Sequence, residues 1–140
     1  MDRLFLDANV LFSAAYREDS GLLALWGLAD AKLLSSIYAL EEARLNLSDV
    51  GQRERLAELR KHVDLVAAGT GTLPKGVSLP DKDIPILLAA IGARATHLLT
   101  GDVRHFGAYF DRTIEGVLVS LPGPYLLGRH KKRRVGRSGA

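Results

Sequence analysis

Apolar residues follow two rhythms along this chain, and their alternation predicts the fold. Short apolar runs occur at Arg3–Leu6, Lys32–Ser35, Val63–Ala67, His97–Thr100 and Val117–Ser120. Runs of that length, continuous rather than alternating, suit strands buried on both faces of a parallel sheet. Between them the apolar positions recur at helical spacing. Gly21 to Ala31 repeats them around Trp26, and Leu40, Ala43 and Leu47 share one face of the next predicted helix. Gln52 to His62 is charged with Leu56 and Leu59 inside, and Ile84 to Ala95 is apolar nearly all round, as a deeply packed helix must be. Gly69 to Gly76 has the punctuation of a loop. Strands alternating with helices predict an α/β domain whose parallel sheet is covered by helices. Neither an internal repeat nor a second domain is visible.

Composition narrows the class without naming a chemistry. A chain of 140 residues, 47% hydrophobic and 25% charged, has enough apolar material for one globular core. Its longest uncharged apolar window, Ile84 to Ala93, is ten residues and contains Pro85, well short of the roughly 18 residues that cross a bilayer. Asp2 and Arg3 lead straight into a strand, so no signal peptide is expected. The absence of cysteine excludes disulfides and thiolate metal sites, and a cytoplasmic location is the expectation.

The net charge of +3 hides an asymmetry. Arg129, Lys131, Lys132, Arg133, Arg134 and Arg137 lie in the last twelve residues, so residues 1–128 carry −3. The expected organisation is an acidic folded body over 1–128 and an unordered basic tail over 129–140. The alternative for such a tail is an arm that binds phosphates in a salt-dependent, sequence-blind way.

Candidate chemistry sits where the apolar runs stop. Leu4-Phe5-Leu6 ends on Asp7, and His97-Leu98-Leu99-Thr100 ends on Gly101-Asp102. Open α/β sheets place their ligands just past the carboxyl ends of strands. Asp83 precedes the apolar helix that begins with Pro85, and Glu41 and Glu42 lie on the helix of Leu40, Ala43 and Leu47. Each position also has an ordinary structural reading. Asp7 and Asp83 suit helix N-caps, Asp102 suits a Gly-Asp turn, and the two glutamates suit a solvated helix face. Taken together they suit a hard divalent ion, which takes oxygen ligands and needs neither histidine nor cysteine. Such ions would also neutralise carboxylates that otherwise raise one another's pKa.

These residues resemble the PIN-domain nucleases, in particular the VapC-like toxins of bacteria and archaea. The resemblance runs through Phe5-Leu-Asp-Ala-Asn-Val-Leu11, Ser36-Ile-Tyr-Ala-Leu-Glu-Glu-Ala-Arg44, Asp83-Ile-Pro-Ile-Leu-Leu-Ala-Ala90 and Leu99-Thr-Gly-Asp-Val-Arg-His-Phe106. It implies a three-layer α/β/α fold with a mainly parallel five-stranded sheet. By the resemblance the four acidic positions of the family fall on Asp7, Glu42, Asp83 and Asp102, with Asn9 and Thr100 as supporting polar residues. Glu42 is taken over Glu41 on this alignment alone, since helical periodicity does not separate them. One position departs. Many relatives carry a further aspartate before the phenylalanine, where this chain has His105, open as a neutral ligand, a substrate contact or a tolerated variant.

The function the resemblance implies is metal-dependent cleavage of RNA. Mg2+ or Mn2+ would be held by Asp7, Glu42, Asp83 and Asp102, with Asn9 and Thr100 fixing carboxylate rotamers. It further implies a homodimer restrained by an antitoxin protein in the active-site groove, and no membrane association. Two rivals belong to other classes. A phosphatase of the haloacid-dehalogenase type needs an aspartate two residues after the first, where Asn9 stands. A non-catalytic PIN-like module would bind RNA or protein and keep the carboxylates only as caps.

Overall fold

Leu4, Phe5 and Leu6 are all fully buried although successive strand residues point to opposite faces, so both faces of the sheet are covered at its first strand. The structure is a computed structural model that describes residues 1–129. The chain runs β1 (Asp2–Leu6), α1 (Ala8–Tyr16), a 3-10 helix (Gly21–Gly27), β2 (Ala31–Ser36), α2 (Ile37–Asn46), α3 (Val50–Arg60) and β3 (Asp64–Val66). A 3-10 turn (Asp81–Asp83), α4 (Ile84–Gly92), β4 (His97–Leu99), α5 (Val103–Phe106), a second short 3-10 turn (Gly107–Tyr109), β5 (Thr113–Ile114) and β6 (Val117–Ser120) follow. Residues 122–129 are helical.

The strands form one sheet in the order β3-β2-β1-β4-β6-β5. Every pairing is parallel except β5 with β6. From β1 the chain steps outward to β2 and β3, then returns through α4 to place β4 on the other side of β1. The strand order therefore reverses between β1 and β4, and a crevice opens there at the carboxyl ends of the strands.

Two expectations are corrected. The sheet has six strands rather than five, because a two-residue antiparallel strand, β5, joins the edge of β6 through a hairpin at Glu115-Gly116. Gly21 to Ala31 is not a single helix. It is 3-10 only as far as Gly27, and Ala31 already belongs to β2, paired with Asp2. Trp26 accounts for part of this, since its indole N–H donates to the Leu59 carbonyl at 3.0 Å and pins the short helix against α3.

Local chemistry fixes the other helices. Ser36 caps α2 through Ala39 N–H, and Asp49 with Gln52 forms a reciprocal capping box on α3. α4 carries Pro in its first turn and ends at Gly92, short of the expected Ala95, because Arg94 adopts φ 56° in the left-handed region. In between, Ile86 to Ala90 are buried without a break. Gly69 makes that seat narrow: a Cβ there would meet the backbone N of Ala89 at 2.3 Å, so the loop after β3 crosses directly on α4.

Arg129 is the first residue of the expected basic tail. Its guanidinium contacts Asp2 Oδ2 at 3.0 Å and Tyr125 Oη at 3.1 Å and pairs with Asp30, which ties the terminal helix to the start of β1. The rest of that tail, residues 130–140, lies outside the described residues.

Candidate functional site

β1 and β4 deliver the centre of the site, since their parallel pairing sets Leu6 beside Leu99 and Asp7 N–H donates to the Leu99 carbonyl at 3.1 Å. Asp7 and the Thr100-Gly101-Asp102 turn therefore lie side by side at the reversal point. Around them a cleft of about 520 Å³ is lined by Asp7, Glu42, Asp83 and Asp102, with Asn9, Asn46, Lys82 and Phe12 among the remaining walls. All four expected carboxylates thus face one space, three of them from helix starts and Glu42 from the flank of α2.

Asp7 is held on both oxygens. Its Oδ1 accepts from Ala8 N–H at 2.7 Å, the capping bond of α1, while Oδ2 accepts from the Thr100 hydroxyl at 2.8 Å and the Asn9 amide at 3.2 Å. Asn9 and Thr100 are in turn fixed by backbone N–H groups of the turn that follows β4. Asn9 Oδ1 accepts from Gly101 N–H at 2.7 Å, and Thr100 Oγ1 accepts from Asp102 N–H at 3.1 Å. The two residues expected as supports do lock the Asp7 rotamer and splice the two strand ends together. Burial to 3% exposure pushes the Asp7 carboxyl up to about 6, against the Thr100 and Ala8 hydrogen bonds, and the charges of Asp83 and Glu42 add to the rise.

Asp83 departs from its structural reading. It occupies the N-cap position of α4 but makes no capping hydrogen bond with its side chain. The carboxylate, 6% exposed, turns toward the cleft instead. Burial raises its pKa above the usual carboxylate range, and the charge of Asp102 adds to this while Lys82 and His105 oppose it. Asp102 is divided between two tasks. Its Oδ1 accepts from His105 N–H at 3.0 Å, capping the one-turn α5, and its Oδ2 lies against the His105 ring.

The two glutamates separate cleanly. Glu41 is exposed and pairs with Arg44 one turn along the helix, whereas Glu42 is half-buried and lines the cleft. Asn46, one turn after Glu42, lines the same wall. It went unnoticed in the sequence although i, i+4 spacing places it on the Glu42 face. Lys82 and Tyr38 were also missed. The Tyr38 hydroxyl donates to the Lys82 carbonyl at 2.7 Å, tying α2 to the turn that carries Asp83.

His105 is part of the cluster. Its Nδ1 lies 2.8 Å from Asp83 Oδ2 and 2.8 Å from Asp102 Oδ2. Asp83, Asp102 and His105 each offer one ligand atom, all within 4.8 Å of one another, so the trio can hold a metal ion. The oxygen-rich cleft as a whole, with a carboxylate oxygen of Asp83 buried and without a hydrogen-bond donor aligned on it, fits a divalent cation. Among the described residues no helix is long and apolar enough to cross a membrane. Comparison of the sequence with protein-family models and with curated proteins finds no match, and the case for function rests on the geometry of this cleft.

Proposed function

We propose that the protein is a metal-dependent endoribonuclease of the PIN type, acting as the toxin half of a toxin-antitoxin pair. One observation carries the reading: Asp7, Glu42, Asp83 and Asp102 line a single cleft at the reversal point of the sheet. Mg2+ or Mn2+ would be held by these four side chains. Such an ion supplies an acidified water and neutralises charge on a phosphodiester undergoing in-line displacement.

The chain's own residues contribute the rest. Asn9 and Thr100 keep the Asp7 carboxylate in one rotamer, so that its charge is preorganised rather than free to swing. Lys82 at the wall is the cation nearest to hand for a phosphate oxygen entering an otherwise acidic cleft. A cleft lined by carboxylates, two asparagines, Lys82 and a single aromatic ring offers few base-reading groups and suits single-stranded or looped RNA recognised by its backbone. A homodimer, an antitoxin that fills the groove and a cytoplasmic setting complete the proposal.

The test is incubation of the purified protein with a labelled mixed RNA pool, with Mg2+, with Mn2+ and with chelator. Cleavage is expected only with a divalent ion, and Asp7→Asn is expected to lower it at least about a hundredfold. Glu42→Gln should lose far more activity than Glu41→Gln, whose parent residue faces Arg44 and solvent. RNA binding without cleavage under every ion condition would favour the non-catalytic module, and equal losses in the two glutamine variants would remove Glu42 from the site.

A further inference from the structure

We propose that His105 is a nitrogen ligand of the divalent ion bound at Asp83 and Asp102, and that it biases the centre toward first-row transition ions over Mg2+. The proposal rests on the reading of the cleft as a divalent-metal centre, and it assigns the position where the resemblance expects an aspartate.

The first argument is electrostatic. His105 Nδ1 sits 2.8 Å from a carboxylate oxygen of Asp83 and 2.8 Å from one of Asp102. Neither contact is aligned as a hydrogen bond, and both Nδ1 and Asp83 Oδ2 are buried atoms without a partner. A single ring nitrogen carries at most one proton, so it can align a full hydrogen bond on only one of the two carboxylates. A bare lone pair facing two anions at that distance repels both. A cation at the point where the three atoms converge would relieve that repulsion and also satisfy the orphaned Asp83 oxygen.

The second argument is that the trio is prevented from relaxing. The backbone N–H of His105 is committed to Asp102 Oδ1, which keeps the two residues side by side within the single turn of α5. Asp83 is more than nine-tenths buried and makes no capping bond that would explain its orientation. Phe106, fully buried directly after His105, anchors that turn in the core. The spacing itself suits a metal. Adjacent ligands of an octahedral ion with bonds of about 2.1 Å are roughly 3 Å apart, and the contacts here are 2.8 Å.

The preference follows from the donor type. Mg2+ takes hard oxygen ligands and rarely imidazole, whereas imidazole binds Mn2+, Co2+, Ni2+ and Zn2+ with strength rising along the series to copper. Replacing an aspartate by histidine at this corner also removes one negative charge from a crowded acidic cleft, which weakens Mg2+ more than an ion that gains a nitrogen bond.

The experiment measures binding rather than turnover. Mg2+, Mn2+ and Co2+ are titrated calorimetrically into the full chain, into H105D and into D83N. Pulsed electron paramagnetic resonance of bound Mn2+ then looks for 14N modulation from a coordinated imidazole. The expected result is 14N modulation in the wild type that vanishes in H105D, with the Co2+ to Mg2+ affinity ratio falling at least tenfold in that variant. D83N should weaken all three ions. Saturable Mn2+ binding that is lost in D83N but shows no nitrogen coupling, with an unchanged ion ratio in H105D, overturns the role of His105 and leaves the metal centre standing. Failure of the wild type to bind any of the ions at millimolar concentration overturns both. Should H105D fold poorly by circular dichroism, the wild-type modulation, present or absent, decides alone.

Discussion

Asp7 stands at the point where stability and chemistry conflict. Its carboxyl is raised to about 6 from an ordinary 3.8, chiefly by burial. Between those two pH values the folded protein holds a proton that the unfolded chain has released. The group therefore favours folding most below pH 3.8, and that contribution is lost as pH rises through 6. At neutral pH the buried anion costs the metal-free protein up to about 3 kcal/mol. Asp7→Asn is accordingly expected to stabilise the metal-free protein at pH 7.5 by about 1–3 kcal/mol, even as it lowers the proposed cleavage. Urea unfolding in chelator at pH 4.5 and 7.5 checks this, and the gap between variant and wild type should narrow to about a third at the lower pH. A variant less stable than wild type at both pH values would show that the three hydrogen bonds on Asp7 outweigh its burial. Asp7, Asp83 and Asp102 were legible in the sequence because strand ends and helix starts announce them, whereas Glu42 was separated from Glu41 by the resemblance alone. The freedom of the Asp83 carboxylate was not, since an N-cap residue gives no sign of declining its bond. The link from His105 to Asp83 joins residues from different elements, which no local pattern reveals.

Among the elements, all five expected strands and the charged and apolar helices were found in place, whereas β5 and the 3-10 character of Gly21–Gly27 were missed. α4 and the central strands carry enough buried residues to dominate any pattern. β5 has two residues, and its turn sequence lacks the Asn-Gly or Asp-Gly signal that announces a tight hairpin. Glu115 and Gly116 take φ 49° and 85°, the left-handed pair of a two-residue hairpin turn. Glu is poorly suited to that conformation, whereas Asn tolerates it. Glu115→Asn is thus expected to stabilise the protein by about 0.5–1 kcal/mol, a rise of roughly 2–4 °C in Tm for a domain of this size. Differential scanning calorimetry reads it, and an unchanged or lower Tm would mean that the hairpin turn is not strained. The 3-10 stretch Gly21–Gly27 was read as α-helical because Trp26 and its neighbours satisfy either period over so few residues. Only the tertiary bond from Trp26 to α3 shows which one applies.

The whole molecule has polar clusters at opposite ends of the sheet. The carboxylate cleft opens past the carboxyl ends of the strands, and Asp2, Tyr125 and Arg129 meet at their amino ends. Asp7 lies five residues beyond Asp2, about 17 Å along an extended strand. Loss of the half-buried Arg129 guanidinium is expected to cost about 1–3 kcal/mol by removing a charged hydrogen-bond donor from Asp2. Arg129→Ala should therefore lower Tm by several degrees while leaving metal affinity at the cleft unchanged. Thermal melts beside Mn2+ titration separate the two effects, and a parallel loss of metal affinity would show that the two clusters are coupled. The charge asymmetry of the chain was plain from the sequence. The bond that draws Arg129 back onto β1 was not, because a basic residue opening a basic run looks like part of the run.

The clamp between Asp2 and Arg129 also decides where anything attached to this domain departs. Met1 and Arg129 lie together on the face opposite the cleft mouth. A fused domain, a fluorescent label or a surface tether placed at either point would begin on the far side of the sheet and leave the entrance to the carboxylates clear. The protein can be immobilised from behind while its cleft still meets a polymer in solution.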